Sequence, residues 1–141
     1  MKDFKKECVQ ETQEKNIKFE ENRKSILFKN ANNRTFIKVQ VDGCQIIEGE
    51  RCDNLLVNVE NGDEYFIELK GTDVGHALQQ LDRSLEILSD KSDKNKKVSV
   101  FIISANVSPK LSTKIQTYKK KWERIYNTAF KIQERRLEVE V

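Results

Sequence analysis

The chain has 141 residues, of which 35% are charged and 37% hydrophobic, and its formal net charge is +3. Its longest apolar stretch, residues 98–103, is far shorter than the roughly 20 residues that cross a bilayer, and residues 1–3 begin no secretory signal. We therefore expect a cytoplasmic protein without a membrane segment, folded as a single domain over residues 1–141.

The first half of the chain predicts mainly β-structure. Ile37, Val39 and Val41 alternate with polar residues, which is the period of a half-buried strand. Asn61-Gly62 is the strongest hairpin signal in the chain. The elements predicted for this half are a helix over 4–16 and strands over 25–28, 36–41, 45–47, 52–60 and 64–70. The strands from residue 36 onward would form an antiparallel meander.

The second half predicts helices alternating with strands. Leucines at three- and four-residue steps predict an amphipathic helix over 73–89, capped by Thr72 or Asp73. Ser108-Pro109 has the composition of a helix start. The helix that it opens would run to Ala129 with a core stripe at Leu111, Ile115, Tyr118, Trp122, Ile125 and Ala129, after a doubly buried strand over 98–104 and before an edge strand over 137–141. The expected class is α/β, a mixed β-sheet with flanking helices.

Cys8, Cys44 and Cys52 form an odd set of cysteines in a chain without an export signal. Such a set favours reduced thiols, so we expect no disulfides. The eight-residue step from Cys44 to Cys52, together with a single histidine, does not have the spacing of a zinc site.

Charge is distributed unevenly along the chain. Residues 42–68 contain eight acids and one base, whereas residues 91–121 contain nine lysines and one acid. An acidic centre beside a basic flank is typical of an enzyme that holds a metal ion and a polyanion, although an ordinary solvated surface has the same composition.

Three ionisable residues of the predicted hairpin are expected to meet. A two-residue turn at Asn61-Gly62 would place Asp53 opposite Lys70, and alternation along the strand would place Glu68 on the same face. Opposed residues lie about 5 Å apart at Cβ, so these groups would be within reach of one ion. A four-residue loop would keep the same face. The alternative is a plain cross-strand ion pair on an exposed strand.

Two neighbouring carboxylates repel unless a cation lies between them. A hard divalent ion such as Mg²⁺ or Mn²⁺ fits, because Mg²⁺ prefers one or two carboxylates and several waters. Asp53 and Glu68 are therefore the predicted metal ligands, and Lys70 would orient the attacking water or stabilise the developing charge.

Asp53, followed fifteen residues later by Glu68-Leu69-Lys70, within a meander followed by a helix and a buried strand, resembles the PD-(D/E)XK nuclease superfamily. The match covers roughly residues 34–104, which would be the core, with a C-terminal helix and edge strand over 108–141. The resemblance implies a restriction-endonuclease-like fold and adds the main-chain oxygen of Leu69 as a metal ligand. It also implies a glutamine on the next helix, Gln79 or preferably Gln80.

The resemblance is incomplete in two places. Cys52 stands where the superfamily has the proline of its name, and the first-helix glutamate is not assigned between Glu7, Glu11 and Glu14. The site could thus be complete, or a remnant that binds without cutting.

The predicted function is a Mg²⁺-dependent or Mn²⁺-dependent endonuclease acting on DNA, with a homodimer as the candidate assembly. The alternatives are a non-catalytic module that binds nucleic acid or protein on the same scaffold, and an accessory protein of antiphage defence or recombination that needs a partner. His76 could approach a phosphate, or could simply be a surface residue. The lysines predicted to hold nucleic acid are Lys94, Lys96, Lys97, Lys114, Lys119, Lys120 and Lys121.

Overall fold

The structure is a computed structural model that describes residues 3–92, 94–106 and 112–141. Within these ranges the chain forms nine strands, two α-helices and a short 3-10 helix at Lys6–Cys8. The strands are β1 (Val9–Thr12), β2 (Asn16–Glu21), β3 (Lys24–Lys29), β4 (Phe36–Gln40), β5 (Asn54–Asn58), β6 (Glu64–Lys70), β7 (Val98–Ser104), β8 (Thr128–Glu134) and β9 (Arg136–Glu140), and the helices are α1 (Val74–Leu88) and α2 (Ser112–Tyr126). Neither described helix is long and apolar enough to cross a membrane.

Six strands form a mixed sheet in the order β1-β4-β5-β6-β7-β8. The pairs from β1 to β6 are antiparallel, whereas β6, β7 and β8 pair in parallel. Parallel neighbours require crossover connections, and α1 and α2 lie in them. A second sheet has the order β2-β3-β9. The prediction of an α/β protein with a mixed sheet and flanking helices is confirmed.

The six-stranded sheet is the middle of three layers. On one face, Phe66 and Val100 pack against apolar residues of α1 and against Trp122 of α2. On the other face, Ile67 and Phe101 pack against the three-stranded sheet. Because side chains alternate along a strand, β6 and β7 are both buried on two faces, and for β7 the apolar run over 98–104 predicted this.

The helix predicted over 4–16 is wrong. After the 3-10 turn the chain forms β1, which pairs with β4 from Val9–Val39 to Thr12–Phe36. The following segment is β2, a strand of the second sheet. Its Ile17 and Phe19 are buried in the core between the two sheets. The spacing of polar and apolar residues over 4–16 was that of a weakly amphipathic helix. Strand formation won because β1 hydrogen-bonds to β4 and β2 to β3.

The strand predicted over 45–47 is also wrong. The segment is a turn in which Ile46 is buried and Ile47 is exposed, with one isolated bridge between Asp42 and Ile46. Gly43 adopts a positive φ of 73°, which tightens this turn.

The end of the second helix differs from the prediction. The helix stops at Tyr126, and Asn127, at a φ of 55°, reverses the chain into β8, so Ala129 is a strand residue. Asparagine tolerates the left-handed conformation that ends helices. Trp122 is buried as predicted, but Ile125 is 50% exposed. The predicted start at Ser108-Pro109 and the stripe residue Leu111 lie outside the described residues.

Two other predicted elements are confirmed. Helix α1 spans Val74–Leu88, and Asp73 caps it by accepting a hydrogen bond from the backbone N–H of His76. The predicted final strand is β9, which lies at the edge of the three-stranded sheet and pairs in parallel with β3.

The β5–β6 hairpin has a longer loop than predicted. Val57 pairs with Glu64, and the backbone N–H of Asn58 donates to the carbonyl of Asp63, so residues 59–62 form a four-residue loop. The Asn58 side chain holds the loop by accepting from the backbone N–H of Glu60 at 2.8 Å. The shift is by two residues, which preserves the face on which each side chain emerges.

The expectation of no disulfides is wrong. Cys8 and Cys44 form a disulfide, with their Cα atoms 5.6 Å apart. They come together because β1 pairs with β4, which brings the turn after β4 beside the 3-10 helix. The odd count leaves Cys52 as a free, buried thiol.

Candidate active site

The site lies where β6 ends and α1 begins. Glu68 and Lys70 occupy alternate positions of β6, on the face that carries Phe66 toward the helices. Asp53 immediately precedes β5 and, continuing the observed register, lies opposite Glu68 rather than opposite Lys70. The structure thus brings Asp53, Glu68 and Lys70 together on one face, with Asp53 opposite a residue two positions before the predicted partner.

Asp53 and Glu68 hold each other through crossed hydrogen bonds. The backbone N–H of Asp53 donates to Oε1 of Glu68 at 3.0 Å, and the backbone N–H of Leu69 donates to Oδ2 of Asp53 at 2.8 Å. Both carboxylates are therefore fixed by the opposite strand. A ligand bound beside Asp53 and Glu68 would contact two carboxyl groups whose positions are already fixed.

Burial raises the pKa of both acids and so favours their protonated forms. The Glu68 side chain is 2% exposed. Loss of hydration, followed by the charge of Asp53, raises the pKa of Glu68 to about 9. Loss of hydration also raises the pKa of Asp53 to about 6, against the lowering effect of the Leu69 N–H. A cation bound between the two carboxyl groups would favour their ionised forms.

Lys70 contacts the start of α1. Its Nζ lies 3.3 Å from Nδ1 of His76 and 4.0 Å from Oε2 of Glu68. The other ring nitrogen of His76, Nε2, lies 2.8 Å from Oε2 of Glu50. Glu50 was not anticipated as a site residue, because it lies in an irregular loop whose path no local pattern predicts.

Gln80 lies on the stripe of α1 that faces this cluster. His76, one turn earlier, contacts Lys70, and Ser84, one turn later, accepts a hydrogen bond from the backbone N–H of Cys52 at 2.8 Å. Residues four apart share a helix face, so Gln80 lies between these contacts. Its Oε1 is buried and has no hydrogen-bond partner among the described residues. Gln79 is exposed.

The described residues contain no group of three or more His, Cys, Asp or Glu side chains placed to hold a metal ion. The possible donors here are Asp53, Glu68 and the main-chain oxygen of Leu69. Such a set suits a hard ion that retains several waters, as Mg²⁺ does, rather than an ion that needs a full protein cage. A divalent cation fits here, because loss of hydration raises the pKa of both acids and the charge of Asp53 raises that of Glu68 further.

No first-helix glutamate joins the site, because the described chain has no α-helix before β4. Glu7, Glu11 and Glu14 are exposed residues of the N-terminal segment. The acids whose charge reaches Asp53 are instead Glu21, at the end of β2, and Asp42. Glu21 was missed because no strand was predicted for the segment that forms β2.

One group of predicted nucleic-acid lysines lies far from the acids. Glu64 pairs with Val98 at one end of β6 and β7, and Lys70 pairs with Ser104 at the other. Six residue steps separate these ends, or about 20 Å. The loop before β7 is at the far end, where several basic side chains line a cavity of about 410 Å³. The predicted lysines in this loop are Lys94, Lys96 and Lys97.

The remaining predicted lysines lie along α2. This helix ends beside the first residues of β8, which pair with Val98, so its first turn points toward the end of the sheet that carries Lys70. Lys114 is therefore nearer to that end of the sheet than Lys119 and Lys120, which follow it along the helix. Lys121 is paired with Asp82 at 2.9 Å.

Comparison with known proteins assigns no family to this geometry. No family model matches the chain, and neither a curated protein nor a solved structure matches it. The function has to be inferred from the site itself.

Proposed function

We propose that the chain is a metal-dependent nuclease that hydrolyses phosphodiester bonds of DNA, on a scaffold of the restriction-endonuclease-like kind. The observation that carries the proposal is the pair formed by the half-buried carboxylate of Asp53 and the buried carboxylate of Glu68, held together beside the ammonium of Lys70. The order of elements from β4 to β7, a meander followed by a helix and a parallel strand, supports the resemblance to PD-(D/E)XK nucleases.

Asp53, Glu68 and the main-chain oxygen of Leu69 would hold Mg²⁺ or Mn²⁺. When bound, such an ion polarises a phosphate oxygen and lowers the pKa of a coordinated water. Lys70 lies close enough to Glu68 to donate a hydrogen bond to the attacking water or to the developing negative charge. Gln80, whose buried Oε1 has no hydrogen-bond partner among the described residues, lies on the stripe of α1 that faces these groups.

Cleavage assays on the full-length chain test the proposal. Duplex, branched and single-stranded DNA, and RNA, are incubated with Mg²⁺ or Mn²⁺. We expect cutting that EDTA abolishes and that falls by about 10²–10⁴-fold in Glu68→Gln and Lys70→Met, since each removes a group placed at the reacting centre. Lys131→Met, an exposed lysine of β8, is the matched control and should cut normally.

Thermal unfolding of each variant shows whether it is folded. Folded Glu68→Gln and Lys70→Met proteins that cut as well as the parent would refute the assignment of the site. Cleavage of RNA alone would refute DNA as the substrate.

A non-catalytic binding module is the second candidate. It is favoured by the absence of a third acidic or histidine ligand among the described residues and by the crossed hydrogen bonds that already satisfy one oxygen of each carboxylate. Calorimetry separates the two candidates. A catalytic site should bind Mn²⁺ in the parent and not in Glu68→Gln, whereas an inert module should give no Glu68-dependent heat.

A further inference from the structure

His76 lies between a lysine and a carboxylate at the first turn of α1. Its backbone is fixed, because its N–H donates to the Asp73 carboxylate at 2.9 Å. Its ring contacts Lys70 through Nδ1 at 3.3 Å and Glu50 through Nε2 at 2.8 Å. Both ring nitrogens are therefore used, unlike those of a simple surface histidine.

The chemistry of the two neighbours defines the tautomer of this imidazole. A lysine ammonium has only donors, so Nδ1 of His76 must accept from Lys70. The ring proton then resides on Nε2, from which it is donated to the Glu50 carboxylate. A carboxylate at Nε2 is the kind of partner that fixes a histidine tautomer and ring orientation.

Glu50 is itself held in place. The guanidinium of Arg83, on α1, donates from Nη1 to the carbonyl of Glu48 at 2.9 Å and to that of Glu50 at 2.7 Å. Helix α1 thus carries both His76 and Arg83, and Arg83 anchors the loop that contains Glu50. The relative positions of the two residues are therefore set by one rigid element.

We infer that the Glu50–His76 pair is a positioning device that holds the ammonium of Lys70 at a working distance from Glu68, an inference that rests on the proposed function. Lys70 Nζ is 4.0 Å from Oε2 of Glu68, beyond hydrogen-bond length, and 3.3 Å from His76. Without the acceptor at Nδ1, the flexible lysine would pair directly with Glu68, and the metal-binding carboxylate and the lysine would neutralise each other.

NMR of the full-length chain tests the contacts without any assay of cleavage. His76 is the only histidine, so a long-range ¹H–¹⁵N spectrum contains a single imidazole. We expect the neutral ring to be the Nε2–H tautomer, Lys70→Met to shift the Nδ1 resonance, and Glu50→Ala to produce a mixture of tautomers. Lys131→Met is the control and should leave the imidazole spectrum unchanged. If Lys70→Met and Glu50→Ala also leave it unchanged, the inference is overturned.

Two substitutions of His76 separate positioning from a structural role. His76→Asn retains an acceptor near the place of Nδ1, whereas His76→Gln places its amide near the place of Nε2. We expect kcat to fall by about 10–100-fold in His76→Gln and His76→Ala with KM little changed, and to be largely retained in His76→Asn. Equal kcat in the Asn and Gln variants, or a wild-type rate for His76→Ala, would contradict the inference.

Mn²⁺ calorimetry keeps this test distinct from the test of the proposed function. If the parent cuts none of the nucleic acids, nuclease activity is refuted, but the same His76 variants can still be compared for metal binding. Mn²⁺ affinity about 10–100-fold weaker in His76→Gln than in His76→Asn supports the positioning role. Equal affinities would overturn it.

Discussion

Glu68 shows how strongly one buried side chain can bias the chemistry of a site. It is placed in the sheet interior by its position in β6, between two residues that are themselves buried. Its pKa is raised from the ordinary 4.5 to about 9 because its carboxylate is cut off from water and lies beside Asp53. Without a cation the folded chain therefore retains a proton there at neutral pH.

Glu68 should therefore make the free energy of unfolding depend on pH. Because the pKa is higher in the folded chain, its contribution to stability is complete below about pH 4.5 and is lost as pH rises through about 9. Glu68→Gln has no ionisable group at this position, so it lacks this fall in the free energy of unfolding. The stability of Glu68→Gln relative to the parent should rise between pH 5 and pH 9, by at most about 1.4 kcal/mol per pH unit.

Urea unfolding at a series of pH values, in EDTA, measures this difference. Glu11→Gln, an exposed acid of β1, is the matched control and should follow the parent at every pH. Parallel curves for Glu68→Gln and the parent would show that Glu68 ionises normally in the folded chain.

The sequence predicted part of the site. Alternation along β6 was enough to place Glu68 and Lys70 on one face, because that period is local. Glu50 and Glu21 could not be predicted, since each approaches the site from a segment whose position depends on distant contacts with Arg83 or with β3.

At the scale of elements, Asp82 joins the two helices. Its carboxylate accepts from the indole N–H of Trp122 at 2.9 Å and from Lys121 at 2.9 Å. Trp122 is fully buried, and truncation of Asp82 removes the acceptor of its indole N–H. This contact fixes α2 against α1 and, through α1, supports the stripe that carries His76.

Asp82→Ala should lower the free energy of unfolding by about 1–3 kcal/mol, the usual effect of leaving a buried donor unpaired. Asp82→Asn keeps an oxygen acceptor and should be less destabilised. Chemical denaturation measures both, with Glu86→Ala, an exposed acid one turn further along α1, as the control. Equal stability of Asp82→Ala and Glu86→Ala would show that this contact does not stabilise the fold.

Elements with a strong local pattern were predicted well, and weakly patterned ones were not. Helix α1 has both a leucine stripe and an aspartate cap, and the structure matches the prediction closely. Strand β1 is mostly polar and β2 has only two buried apolar residues, and both exist because neighbouring strands supply their hydrogen bonds. Strand β8 was missed because the helical period was extended past Asn127, whose positive φ ends the helix.

At the scale of the whole molecule, the disulfide links the N-terminal segment to the loop that leads to Asp53. Cys8 and Cys44 are 36 residues apart in sequence. Closing a loop of that length restricts the unfolded chain and stabilises the fold by about 3–4 kcal/mol. The N-terminal edge of the large sheet is thereby fixed to the turn after β4.

Thiol counting and unfolding together test this link. Protein purified without reductant and then denatured should show one reactive thiol per chain, from Cys52, and three after reduction. Cys8→Ala should unfold with a stability close to that of the reduced parent. Cys52→Ala is the control, and it should show no thiol before reduction. Three thiols in the unreduced parent would refute the disulfide.

Features that depend on short-range periodicity could be predicted from the order of the amino acids: the α/β class, the central meander, α1, the buried strand β7, and the shared face of Glu68 and Lys70. The second sheet, the disulfide, the contact of Glu50 with His76 and the separation of the loop lysines from the acids became visible in the folded chain alone. These depend on pairing between segments far apart in the chain, where hydrogen bonds and burial outweigh local propensity.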